Sequence, residues 1–176
     1  MPKTGAKKPK IGASVVVGNP DGSNEHLVIA ETEEHKYLTV NFPGGKKKKR
    51  ETIGRCAARE CLEEAKVEVE VTHVIAIHER PDRSIHVTLA ATAIGGSPEH
   101  SNEHPWAGYY PDEELEKMQQ EGDTRWPTMI SDIEKSRRGD MMPIEEFYQA
   151  VTCIGIIALG EMTDELQGQE QIRIAA

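Results

Sequence analysis

Short runs in which apolar residues dominate, or alternate with polar ones, recur through the first hundred residues. Ile11-Gly12-Ala13-Ser14-Val15-Val16-Val17 is rich in β-branched residues, and Gly18-Asn19-Pro20-Asp21-Gly22 stops it, which predicts a strand and then a turn. His26 to Thr32 predicts a second strand and Tyr37 to Asn41 a short third, and Pro43-Gly44-Gly45 then predicts a loop. Val67-Glu68-Val69-Glu70-Val71 alternates strictly, and the pattern runs on through Val74-Ile75-Ala76-Ile77. Pro81-Asp82 marks a turn, and Ser84 to Ile94 is one more strand, closed by Gly95-Gly96. Residues 97–122 are polar and rich in proline, and predict a long loop or lid in which Pro111-Asp112-Glu113-Glu114 can start a helix. Met129, Ile130 and Ile133 have helical spacing, and Pro143 to Ala150 begins a helix that can extend through Ile154.

Between the loop and the alternating strand the period changes. From Thr52 to Lys66 the spacing is helical, and at about 100° per residue Arg59, Glu60, Glu63 and Glu64 share one arc. Gly54, Ala57, Ala58, Cys61, Leu62 and Ala65 fill the opposite arc, which is the expected buried face. Like charges four residues apart, as in Glu60 and Glu64, cost a few tenths of a kcal/mol in an isolated helix. A hard divalent cation would offset that repulsion, since Mg²⁺ prefers oxygen ligands. The glutamates therefore predict a metal site.

Gly45, Glu51, Arg59, Glu60, Glu63, Glu64 and Val67 fall at the spacings of the Nudix hydrolase signature, and the stretch resembles that family. Cys61 stands where an aliphatic is usual, a mild change because free Cys behaves as a small hydrophobe. Lys66 replaces the Gly that ends the helix, which predicts either a strained left-handed Lys or a longer helix. The resemblance is convincing over residues 11–96. It implies an α+β fold, a Nudix-like α/β/α sandwich around a mixed β-sheet. It also implies a Mg²⁺-dependent pyrophosphohydrolase, with Mn²⁺ as a substitute ion. Glu60, Glu63, Glu64 and the carbonyl of Gly45 would then be metal ligands, Arg59 would orient a neighbouring carboxylate, and Glu51 would support the geometry of loop and helix.

The general base stays open on this reading. Glu60 is one candidate within the signature, and Glu79, Glu103, His104, Glu113 and Glu114 are candidates outside it. His78 and His86 are read as hydrogen-bonded structural histidines. Substrate class is open as well. The family cleaves nucleoside triphosphates, ADP-ribose and nucleotide sugars, or dinucleoside polyphosphates. The alternatives are a diphosphoinositol polyphosphate, or a non-catalytic nucleotide-binding sensor domain. Pro81, fourteen residues past Val67, nearly meets the spacing of ADP-ribose-type members. Trp106, Tyr109 and Tyr110 could grip a base from a lid, whereas Trp126 and Phe147 are expected in the core.

Charge sharpens this picture. Lys46, Lys47, Lys48, Lys49 and Arg50 fill the places between Gly45 and Glu51, where they can contact or steer a polyphosphate. The formal net charge of −9 argues against general nucleic-acid binding by the whole surface. No apolar run reaches the ~18 residues of a membrane span. Cys56, Cys61 and Cys153 lack metal-ligand spacing and read as reduced thiols, consistent with a cytoplasmic protein. Residues 1–10 read as a disordered basic arm, 11–166 as one domain and 167–176 as a flexible tail. Many relatives are dimers, which allows a homodimer.

Overall fold

A computed structural model describes residues 10–33 and 36–154. Along the chain run β1 (Ile11–Val17), β2 (Glu25–Glu33), β3 (Lys36–Asn41), β4 (Gly44–Lys46), α1 (Ile53–Ala65), β5 (Val67–Glu79) and β6 (Ile85–Gly96). β7 (Ala107–Pro111), α2 (Asp112–Glu121), α3 (Met129–Arg138), β8 (Met142–Pro143) and α4 (Ile144–Ile154) follow. One sheet has the order β4-β1-β6-β5-β8, and a second has the order β3-β2-β7. β1 lies parallel to β6, with Val15 opposite Leu89, and the other named pairs in both sheets are antiparallel. The mixed sheet and the α+β class agree with the sequence reading.

Two apolar cores explain why the central strands read as continuous runs rather than alternating ones. Successive side chains on a strand face opposite ways. Val15, Val17, Leu27, Ile29, Val87 and Leu89 point into the core under α1 and α4. Val16, Val28 and Ala90 point into the other, against Leu115 of α2 and Met129 and Ile133 of α3. The strands are thus covered by helices on both sides.

Three expectations need correction. Pro43-Gly44-Gly45 is not only a loop, because Gly44 and Gly45 pair with Ser14 and Ala13 in β4. Residues 97–122 are not one long loop or lid. Ala107–Pro111 zips onto β2, with Tyr110 opposite His26 and Gly108 opposite Val28, and α2 follows at once. A five-residue strand between prolines has almost no local signature, so its partner decides it. Finally, Leu62 is 46% exposed while Glu64 is 8% exposed, so α1 is rotated slightly from the expected orientation. Residues 1–9 and 155–176, hence most of the predicted arm and all of the tail, lie outside the described residues, as does the side chain of Cys153.

Candidate active site

Thr52 starts α1 by accepting a hydrogen bond from the Arg55 backbone N–H at 3.2 Å. The helix ends at Ala65, where Lys66 takes the left-handed conformation (φ 62°) and its N–H returns to the Leu62 carbonyl. Lys66 therefore fills the capping role a glycine fills more cheaply. Between these ends, Arg59 organises the acidic face. Its Nε donates to Glu51 Oε1 at 2.6 Å and its Nη2 to Glu51 Oε2 at 3.0 Å, a two-pronged pairing that suits the planar guanidinium. Its Nη1 reaches Glu60 Oε1 at 2.8 Å and Glu63 Oε2 at 2.9 Å, and Nη2 also donates to the Lys46 carbonyl. One cation thus aligns three carboxylates and ties them to the end of β4. Glu51 also accepts from the Lys48 backbone N–H at 2.8 Å, and Arg59 and Lys48 hold its carboxyl below the usual range against the effect of burial.

Gly44 and Gly45 sit directly against the glutamates. A Cβ on Gly45 would lie 2.4 Å from Glu60 Oε1, and one on Gly44 would lie 2.5 Å from the Ala13 carbonyl oxygen. At Gly44 the obstacle is backbone, so only glycine fits, whereas at Gly45 it is the end of the Glu60 side chain. The Gly44 N–H donates to Glu64 Oε2 at 2.8 Å, while Glu64 Oε1 meets His104 Nε2 at 3.1 Å. His104 Nδ1 lies 3.2 Å from the Ala30 carbonyl, a geometry that calls for the proton on Nδ1. Burial pushes the Glu64 carboxyl up to about 7, although Gly44 and His104 both favour the anion.

The expected metal ligands therefore occupy different environments. Glu60 lies against Gly45, Glu63 is exposed and turned toward Arg59 and Lys48, and Glu64 is buried. Burial pushes the Glu63 carboxyl up, but Arg59 and then Lys48 together outweigh it and hold the group below its ordinary range. Among the described residues, metal-ligating atoms gather at Glu64, Glu103 and His104, within 4.8 Å of one another. Carboxylate oxygens with one imidazole form a donor set compatible with Mg²⁺ or Mn²⁺. Two of the candidate bases, Glu103 and His104, are thus brought to the signature helix. Glu113 and Glu114 are carried away on α2, where Glu114 pairs with Lys117 at 2.8 Å. Glu79 lies on the wall of a separate cavity.

The basic run divides in the same way. Lys46 borders a cavity of about 350 Å³ beside Gly44 and Gly45. Lys48 Nζ approaches Glu63 Oε1 at 3.5 Å, the Lys47 backbone N–H is tied to the Ile11 carbonyl, and Lys49 is exposed. The same cavity is also lined by Asn41, Arg80, His86, Arg125 and Trp126. A second cavity of about 200 Å³, more apolar, shares Arg80, His86 and Trp126 and adds Phe42 and Asp132. Trp126 is half-buried and lines both spaces rather than filling the core, as was expected of it. Phe147 is buried in the core as expected. Tyr109 and Tyr110 pack against the two cores and Trp106 stands edge-on to Tyr110, so this aromatic group does not line either cavity. His86 donates to or accepts from Ser14 Oγ at 2.9 Å, and His78 meets Asp132 at 3.2 Å, matching their structural reading. Arg80, Arg125, Asn41 and Asp132 were not found from sequence, since each acts through partners far away in the chain.

Residues 8–129 match the family model described as NUDIX domain. Among solved structures, a NUDIX hydrolase from Nitrosomonas europaea aligns with a TM-score of 0.67 at 19% identity, covering 78% of this chain and 95% of that one. A MutT protein from Methanosarcina mazei Go1 aligns with a TM-score of 0.58 at 18% identity, covering 77% and 98%. An ADP-ribose pyrophosphatase from Streptococcus suis 89-1591 aligns with a TM-score of 0.51 at 22% identity, covering 60% and 75%. These likenesses concern the fold. A sequence comparison with curated proteins finds no match. Among the described residues, no helix is long and apolar enough to cross a membrane.

Proposed function

Because this chain belongs to the NUDIX family, we propose that it is a divalent-metal-dependent pyrophosphohydrolase that opens the diphosphate linkage of a nucleoside diphosphate derivative. One observation carries this reading. The carboxylates of Glu60, Glu63 and Glu64 lie at the junction of β4 and α1, beside a cavity walled by Lys10, Lys46, Arg80 and Arg125. That cavity offers cations to an anionic phosphate chain next to Gly45, against which Glu60 packs. When bound, a divalent cation neutralises phosphate charge and makes water a stronger nucleophile.

The chain's own residues do the rest. Glu60, Glu63, Glu64 and the Gly45 carbonyl would hold the cation, while Arg59 orients Glu60 and Glu63, and Glu51 fixes Arg59. His104, set by the Ala30 carbonyl, holds a proton at Nδ1 and presents Nε2 to Glu64. With Glu103 it can accept or relay a proton next to the ligand cluster. Lys46, Lys47, Lys48 and Lys49 raise the local concentration of polyphosphate. Burial of the thiols of Cys56 and Cys61, which are free, accords with a reducing, cytoplasmic setting.

The ADP-ribose pyrophosphatase and MutT neighbours make ADP-ribose and nucleoside triphosphates the first substrates to try. The test is product release from a panel of nucleoside triphosphates, ADP-ribose, nucleotide sugars, dinucleoside polyphosphates and a diphosphoinositol phosphate. Each is assayed with and without Mg²⁺ or Mn²⁺. Turnover of a nucleotide class that is lost in Glu63→Gln, Glu64→Gln supports the reading. Metal-dependent turnover of the diphosphoinositol phosphate alone would overturn the nucleotide assignment.

A further inference from the structure

We propose that Cys56 is a positioning residue for Glu60, its buried thiol tying Arg59 to Gly45 and so closing a clamp on that carboxylate. This deepens the hydrolase reading and rests on it, because Glu60 there belongs to the cation's ligands. Helical geometry supplies the first part of the argument. Arg59 and Glu60 follow Cys56 by three and four residues, the spacings at which side chains on one helix face are neighbours. All three reach toward β4, where they meet Gly45 or Lys46. Glu60 is held there on two sides. Arg59 Nη1 lies 2.8 Å from its Oε1, and a Cβ on Gly45 would lie 2.4 Å from the same oxygen.

The thiol joins the two jaws. Cys56 Sγ donates to the Gly45 carbonyl oxygen at 3.8 Å and accepts from Arg59 Nη2 at 3.7 Å, long contacts that suit a large sulfur atom. A neutral thiol can do both, with one weak donor hydrogen and a weakly accepting sulfur. The Ala13 backbone also faces the sulfur, and Ala13 is the partner of Gly45 in the pairing of β1 with β4. One buried atom thus stands where β1, β4 and α1 meet. An Ala side chain has neither function and stops short of both partners, which leaves Gly45 and the Arg59 guanidinium free to shift relative to each other.

Cys61 shows an ordinary core thiol on the same helix. It is as fully buried as Cys56, yet among the described residues no hydrogen bond links it to Arg59 or Gly45. The two cysteines therefore separate a role in packing from a role in positioning.

The test is Mn²⁺ binding to the full chain without substrate, read from the electron paramagnetic resonance signal of the free ion, alongside thermal melts. Ala suits a helix interior, so the fold is kept in Cys56→Ala and in the control Cys61→Ala. Both are expected to melt below wild type, because each removes a buried sulfur. Only Cys56→Ala is expected to weaken Mn²⁺ binding, by about ten-fold, the low end for a residue that orients a metal ligand. Cys56→Ser keeps a donor and an acceptor. It is expected to bind Mn²⁺ more tightly than Cys56→Ala without melting any higher, since packing alone does not favour a buried hydroxyl. Unchanged affinity in Cys56→Ala, the same loss in Cys61→Ala, or no recovery in Cys56→Ser overturns the clamp. Nucleotide turnover in the metal assay together with any of those results sinks the clamp alone. The expected Mn²⁺ pattern without turnover of any substrate on the panel sinks the hydrolase reading alone. A wild-type chain that binds no Mn²⁺ takes both down.

Discussion

Glu64 is the residue at which folding and chemistry are most tightly coupled. Its carboxylate is needed as an anion by a metal, yet burial lifts it to about 7, well above its ordinary 4.5. Between those two values the folded chain keeps a proton that the unfolded chain has released. The stability supplied by neutral Glu64 is complete below about pH 4.5 and is lost as pH rises through about 7. A shift of that size corresponds to roughly 3 kcal/mol. His26 and His86 oppose it, since burial lowers both to about 4 and so makes stability rise with pH between about 4 and 6.5. The comparison that isolates Glu64 is wild type against Glu64→Gln in denaturant melts without metal. Wild type is expected to lose stability relative to the variant from pH 4.5 to 7, and a constant difference would refute the assignment.

At the scale of elements, α1 and β4 form one device with a weak spot at each junction. Lys66 sits at φ 62° in the left-handed region, and its side chain makes only an exposed bond to the Glu63 carbonyl. Lys66→Gly is expected to stabilise the protein by about 0.5–1 kcal/mol, or roughly 1–4 °C in a thermal melt. A lower melting temperature would show that the long Lys side chain matters more than backbone strain. The other junction is Gly45. A methyl group there collides with Glu60 Oε1, which belongs to a side chain that can swing away. Gly45→Ala is therefore expected to melt within a few degrees of wild type while losing about ten-fold or more in turnover, because Glu60 is displaced from its place beside Arg59. Equal loss of stability and activity would mean that β4 itself had come off the sheet.

Across the whole molecule, two cores on opposite faces of the sheets hold the site rigid from behind. Cys56 and Cys61 are fully buried in the core beneath α1, and burial pushes both thiols up to about 12. Alkylation of the native protein at pH 8, mapped by mass spectrometry, is expected to spare both until the fold opens. Rapid modification of either would show that α1 detaches locally. The same architecture explains what could be read beforehand. The run Val15-Val16-Val17, the alternation from Val67 and the acidic arc of α1 are local patterns, set by repeat period. They sufficed for the fold class and for the candidate ligands. Tertiary structure decided the rest because it depends on contacts between distant residues. Gly44 and Gly45 become a strand only against β1, and Ala107–Pro111 only against β2. Glu64 is buried by Gly44, twenty residues before it, and by His104, forty after. The Trp126 cavities are lined by residues from Lys10 to Asp132 that no local pattern connects. A helix face is written in the order of its residues, whereas the partner that buries or charges it is chosen only when separate strands and loops close around it.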